Sequence, residues 1–164
     1  MITERETAMD KEQVAGLFMR GQDCGQVVFE HFAEELGIPG EEANRLAAAF
    51  GGGSGMGETC GAVIGAMMVI GMRYGHNGPD DMEHREVLMT KRAEFIEKWK
   101  EKRGSCMCCD LLGDDISTPE GLGRILEAGI MFTLCPELVL DAISILDSME
   151  ENHSEDFIAE KAEE

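Results

Sequence analysis

Between Phe50 and Glu58 the chain reads Gly51-Gly52-Gly53-Ser54-Gly55-Met56-Gly57, five glycines in seven residues. No helix runs on through such a stretch, because glycine gives up the most backbone entropy on ordering and opens left-handed conformations. The run separates two segments of helical character. Residues 41–50 are rich in alanine, and residues 59–74 are apolar almost all round, the pattern of a helix buried on every side. The chain must therefore turn here and lay the second segment back against its neighbours.

The remaining periodicity is helical too. One Trp, one Tyr and no alternating β-branched runs leave little strand signal. A first helix is expected over residues 10–19, with Val14, Leu17 and Phe18 on one face. Asp23 is a candidate cap for a second, which carries Val27, Val28, Phe32 and Leu36 inward and stops at Gly37. A long amphipathic helix is expected over residues 82–103, with Leu88, Phe95, Ile96 and Trp99 as its buried stripe. Thr118 and Pro119 open another, and Pro136 a last one ending near Met149. Small residues on one side of the apolar segment point to close helix packing at Gly65 and Gly71. The expected fold is all-α: a compact single-domain helical bundle over residues 1–150, with a Gly-rich loop before a central apolar helix. Residues 151–164 form an acidic tail expected to fray.

The chain has 164 residues, 33 Asp and Glu against 14 Lys and Arg, and a net charge of −19. That field repels phosphate backbones and anionic lipid, so nucleic acid and membrane surfaces are poor partners, and a basic protein face or a cation is attracted. Residues 1–6 lack the apolar core of a secretory signal, and the longest apolar stretch, residues 60–72, is too short to span a bilayer. The expectation is a cytoplasmic protein without membrane insertion. In a reducing compartment its six cysteines read as ligands, redox groups or core residues before structural disulfides.

The glycine run does not bind nucleotide. A phosphate loop needs Lys followed by Ser or Thr, and Gly57 is followed by Glu58 and Thr59; no GxGxxG register fits and no strand precedes it. Cys106 and Cys109 form a C-x-x-C, which lacks the following His of covalent haem attachment, the βαβ context of a thioredoxin site and the second pair of a zinc ribbon. Cys24, Cys60 and Cys135 carry more, since each stands at an expected helix start, where backbone N–H groups and the dipole favour thiolate. Four such thiols brought together suit an iron–sulfur cluster or a dithiol site better than structural zinc.

The stretch GGGSGMGETCGAVIGAMMVIGMRY at 51–74, with Cys60-Gly61-Ala62 and Gly65, resembles the core motif of the redox-active C_GCAxxG_C_C family. Cys24 with Val27, Val28 and Phe29 resembles the segment of its first cysteine, Cys109-Asp110-Leu111-Leu112-Gly113 that of the third, and Cys135-Pro136-Glu137 that of the fourth. The resemblance covers about residues 21–146. It implies an all-helical redox protein whose four cysteines act together. A related domain in split-Soret cytochromes is associated with an iron–sulfur centre, which implies Cys24, Cys60, Cys109 and Cys135 as ligands of a [2Fe-2S]-type cluster. Cys106 and Cys108 are extras to that set, and the cytochromes' haem segment is absent here.

The expected function is single-electron transfer to a redox partner protein with a basic docking face, not catalysis on an organic substrate. Metal-free thiol–disulfide chemistry and a zinc or other metal-binding structural or carrier module are the alternatives. Amides donating to sulfur raise a cluster's potential, whereas the −19 field lowers it. The methionines, such as Met67, Met68 and Met72, read as core. His31 and His84 read as surface residues, and His76 as a second-sphere candidate near the site. The Gly/Ala-rich apolar helix offers a face for a homodimer.

Overall fold

A computed structural model describes the backbone of residues 8–161 and the side chains of residues 8–149. The expectations for residues 1–6 and for the last three residues of the tail lie outside the described residues. The described chain is helical, with a single isolated antiparallel bridge, Thr59 to Met107. The helices are α1 Lys11–Met19, α2 Cys24–His31, α3 Gly40–Ala47, α4 Gly61–Tyr74, α5 Met82–Arg103, α6 Cys108–Leu112, α7 Pro119–Glu127, α8 Ile130–Thr133 and α9 Cys135–Lys161.

Local chemistry sets most of these bounds. Asp10 and Asp23 cap α1 and α2 in full capping boxes with Gln13 and Gln26. Thr118 caps α7 ahead of Pro119, and Gly104 ends α5 with φ 82°. Two expected ends differ. α2 closes at His31 and the chain reaches Gly37 through turns, so Leu36 packs only at the edge of the core. α9 runs to Lys161, past the expected end near Met149, because no Gly or Pro interrupts residues 150–161 and a helix already nucleated propagates cheaply.

The apolar helix α4 is central, packed against α2, α5 and α9. Its crossing with α2 is the closest in the fold. A Cβ built at Gly65 would lie 2.8 Å from the Gly25 carbonyl oxygen, and one at Gly61 would overlap the Cys24 sulfur and lie 2.9 Å from the Phe50 carbonyl oxygen. Gly71 differs from expectation: its side faces open space, so it packs no helix. Met67 and Met68 lean on the core, but Met72 is half exposed. Phe95 and Trp99 anchor α5 in the core, with Leu88 and Ile96 at its border.

Apolar burial falls into two clusters. The larger joins α1 to α5 with α9; the smaller holds Cys108, Leu112, Ile116 and Ile125, with Ile130, Met131, Leu134 and Cys135 packed on it. Asp141, the buried acidic side chain on α9, takes Arg103 Nε at 2.5 Å and Lys102 Nζ at 2.6 Å, which ties the end of α5 to the start of α9.

The two glycines on α4 make opposite predictions. Gly65→Ala pushes a methyl into immovable backbone and is expected to cost about 1–3 kcal/mol of overpacking. Gly71→Ala meets nothing and is expected to gain about 0.5–1 kcal/mol of helix stability. Urea unfolding of the two variants beside the parent measures both signs.

Candidate redox site

Four helix starts converge on one cavity. Cys24 is the first residue of α2, Cys60 the cap residue of α4, Cys108 the first residue of α6 and Cys135 the first of α9. All four line a cavity of about 160 Å³. Phe18, Leu111, Leu112, Met131, Phe132 and Leu138 complete its apolar wall, with Gln22 and Asp23 as the polar side chains. The thiols divide across the two apolar clusters. Cys24 and Cys60 belong with the larger, while Cys108 lies in the smaller and Cys135 packs on it.

Each thiol is placed by a traceable device. The α2–α4 crossing sets Cys24 against Cys60, and the two sulfurs are in hydrogen-bond contact. The glycine run turns through left-handed backbone at Gly52, Ser54, Gly55 and Gly57, and the Gly52 N–H is directed at the Cys24 sulfur. The run's exit is then stitched to the cysteine-rich segment. Cys60 N–H donates to the Cys106 carbonyl at 2.8 Å, and Cys108 N–H to the Glu58 carbonyl at 2.6 Å. From the other side, the buried Trp99 indole donates to the Ser105 carbonyl at 2.9 Å. Lys11 to Glu137 at 2.6 Å braces the first turn of α9.

Three of the four sequence-derived residues, Cys24, Cys60 and Cys135, thus stand together, and the fourth does not join them. Cys109 turns away from the cavity. Its sulfur lies 3.7 Å from Asp115 Oδ1 and fills the place a Gly57 side chain would take. Gly57, at φ 69°, is required twice, for its conformation and for that space. The cavity position belongs to Cys108, treated in the sequence as an extra. The reason is the bridge at Met107, which fixes which of two adjacent thiols faces inward. Cys106 packs at the edge of the larger cluster, outside the cavity lining. His76 is exposed beyond the far end of α4, about 20 Å of helix from Cys60. His84 pairs on the surface with Asp81 at 2.8 Å.

The electrostatics reverse the expectation of thiolates. Contact with Cys60, then burial, raises the Cys24 thiol well above its ordinary value against the pull of the Gly52 N–H. Burial, then the neighbouring thiols, push Cys108 up to about 12, and burial followed by Cys24 pushes Cys135 up to about 12. Burial likewise raises Asp23, despite amides that favour its charged form. Desolvation and like charge outweigh the helix dipoles. Cys24, Cys108 and Cys135 therefore favour the protonated thiol, all six cysteines being free. Among the described residues, no group of three or more His, Cys, Asp or Glu side chains is gathered tightly enough to hold a metal ion in this arrangement. Also among them, no single helix is long and apolar enough to cross a membrane.

A family model described as "Putative redox-active protein (C_GCAxxG_C_C)" matches residues 22–149. No curated protein and no solved structure matches the chain.

Raised thiol pKa values fix the sign of a pH effect. Folded Cys108 and Cys135 hold protons more tightly than the unfolded chain, so their stabilising contribution is complete below the ordinary value of 9.0 and is lost as pH rises through about 12. The melting temperature of the metal-free, reduced protein is expected to fall across that window. At pH 7.5, alkylation of these two thiols, followed by peptide mass spectrometry, is expected to run at least about a hundredfold slower than that of free cysteine.

Proposed function

Because this chain belongs to the C_GCAxxG_C_C family of redox-active proteins, we propose that Cys24, Cys60, Cys108 and Cys135 hold an iron–sulfur cluster of the [2Fe-2S] type for single-electron transfer. The observation that carries this reading is the convergence of four free thiols, from four separate helix starts, on one apolar cavity. The donor set fits the group. Thiol sulfur suits iron, and scattered ligands are ordinary for clusters. Structural zinc commonly takes its ligands in paired short spacings, whereas these four thiols come from four separate segments of the chain.

A bound cluster supplies reversible one-electron chemistry that thiols alone lack. The chain's own residues do the rest. The apolar wall of Phe18, Leu111, Leu112, Met131, Phe132 and Leu138 limits water at the sulfurs. The Gly52 N–H donates to Cys24 and favours its anionic form. Loading requires the thiols to give up their protons, so it is favoured as pH rises from neutral. The −19 charge favours a redox partner that docks through a basic face.

The contact of Cys24 with Cys60 favours a second reading, a metal-free dithiol. There the two thiols form a disulfide by exchange with a partner's disulfide, which takes up the two electrons and two protons.

Reconstitution with iron and sulfide without oxygen separates the two. The cluster reading expects colour and about two iron and two acid-labile sulfide per chain. It expects C108A to lose them and C109A to keep them. A colourless wild type without iron or sulfide, whose thiols vanish in pairs on mild oxidation and return with dithiothreitol, would establish the dithiol. Zinc in place of iron would make the site a metal-binding module.

A further inference from the structure

The expected dimer face is not available: the small residues Gly61, Ala62, Gly65 and Ala66 of α4 are buried against the rest of the core. Gly61 and Gly65 meet Cys24 and Gly25 at the start of α2. That start has a second neighbour, the glycine run, and Asp23 stands between the two. Asp10 and Asp23 are matching caps. Each closes a capping box with a Gln three residues on, and its Oδ1 takes the Gln N–H, at 2.8 Å for Asp10 and 3.0 Å for Asp23. A cap needs only that one acceptor. Asp10 is exposed, whereas Asp23 is half-buried and lines the thiol cavity. Its carboxylate also accepts from the N–H groups of Gly25 and Gly51.

We propose that Asp23 is a positioning residue for the thiol site: its carboxylate fastens the glycine run to the start of α2 and so holds the Gly52 N–H on the Cys24 sulfur. Oδ2 stands over Gly51, where a built Cβ would lie 2.7 Å from it. Gly51 is not one of the positive-φ glycines, so its missing side chain answers to Asp23 and not to backbone conformation. The next residue, Gly52, turns left-handed at φ 63° and directs its N–H at Cys24. Two successive amides of the run thus meet two successive residues of α2, which sets their register. The run's own hydrogen bonds, Ser54 N–H to the Phe50 carbonyl at 3.1 Å and Glu58 N–H to the Gly53 carbonyl at 3.3 Å, do not reach α2.

The cap and the clamp make different demands. Capping α2 takes one oxygen, and Asn supplies it as well as Asp does. Holding Gly51 at the same time takes the second oxygen, where Asn would set an NH₂ donor against the Gly51 N–H. The effect on a bound cluster follows from the amide at Cys24, since donors to sulfur raise the reduction potential. That consequence rests on the reading of Cys24 as a cluster ligand. The fastening of the run to α2 does not.

Amide hydrogen exchange, followed by NMR on the reduced, metal-free full chain, tests it. D23N is expected to keep the helical circular dichroism while exchange at Gly52 speeds up at least about tenfold, the equivalent of one lost hydrogen bond. G51A is expected to do the same from the other partner, because its methyl displaces the carboxylate. D10N, the matching change on α1, is expected to leave Gly52 as in the wild type. After loading with iron and sulfide, G51A is expected to have a lower reduction potential than the wild type, since an amide is lost from sulfur and no charge changes. D23N also removes a negative charge, which acts the other way, so G51A is the variant read for potential. Gly52 exchange within about twofold of the wild type in G51A, or in a folded D23N, overturns the inference. Equal acceleration in D10N also overturns it, by making the effect one of general destabilisation. A wild type that takes up no iron overturns the cluster reading instead, and the exchange rates then decide the clamp by themselves.

Discussion

The site depends first on how closely α2 approaches α4. Gly25 lies against Gly61 and Gly65 with no room for a methyl at either α4 position. At that separation the first residue of one helix and the cap of the other fall side by side, which is why Cys24 and Cys60 touch. A larger residue at Gly61 would displace the sulfur itself, so the glycines of the central motif are spacing devices for a pair of thiols. The flexible run before α4 serves the same end: it lets the chain double back sharply enough to aim an amide at Cys24.

Two effects compete over the charge of those thiols. Helix starts favour thiolate, and the sequence places cysteines there repeatedly. Burial and mutual proximity favour the thiol, and for Cys24, Cys108 and Cys135 they win. Dipoles act only within the first turn and are worth about a kilocalorie per mole, whereas desolvation grows with every apolar neighbour. Concentrating sulfurs in an apolar cavity thus makes a site where Cys24, Cys108 and Cys135 hold their protons until a cation or the loss of electrons compensates for them.

Features governed by local chemistry were legible in the sequence. Asp23, Thr118 and Pro119 act through groups one turn away, and the apolar stripe of α5 has a period that exposes its inward face. The apolar character of α4 and the four-cysteine pattern were readable for the same reason. What was not legible depends on contacts across the chain. The choice between Cys108 and Cys109 is made by the hydrogen bonds from the Cys108 N–H to the Glu58 carbonyl and from the Cys60 N–H to the Cys106 carbonyl, across about fifty residues of chain. Gly71 has the same helical context as Gly65, and only the absence of a neighbour tells them apart. The raised pKa values belong to the cavity as a whole, and no single helix start encodes them.

The cavity also lies where the two apolar clusters meet. Cys24 and Cys60 stand on the large cluster; Cys108 and Cys135 stand on the small one formed by the segment from α6 to the start of α9. The small cluster has few buried side chains of its own and joins the rest through the bridge at Thr59, α9, the packing of α8 on α1, and Leu134, which packs on both clusters. Any group gripped by all four sulfurs would bridge that seam and lend the smaller cluster the stability of the larger. A disulfide between Cys24 and Cys60 would lie wholly on one side and lend it nothing. The placement of two thiols in each of the two apolar clusters therefore suits a ligand that takes all four better than one pair acting alone.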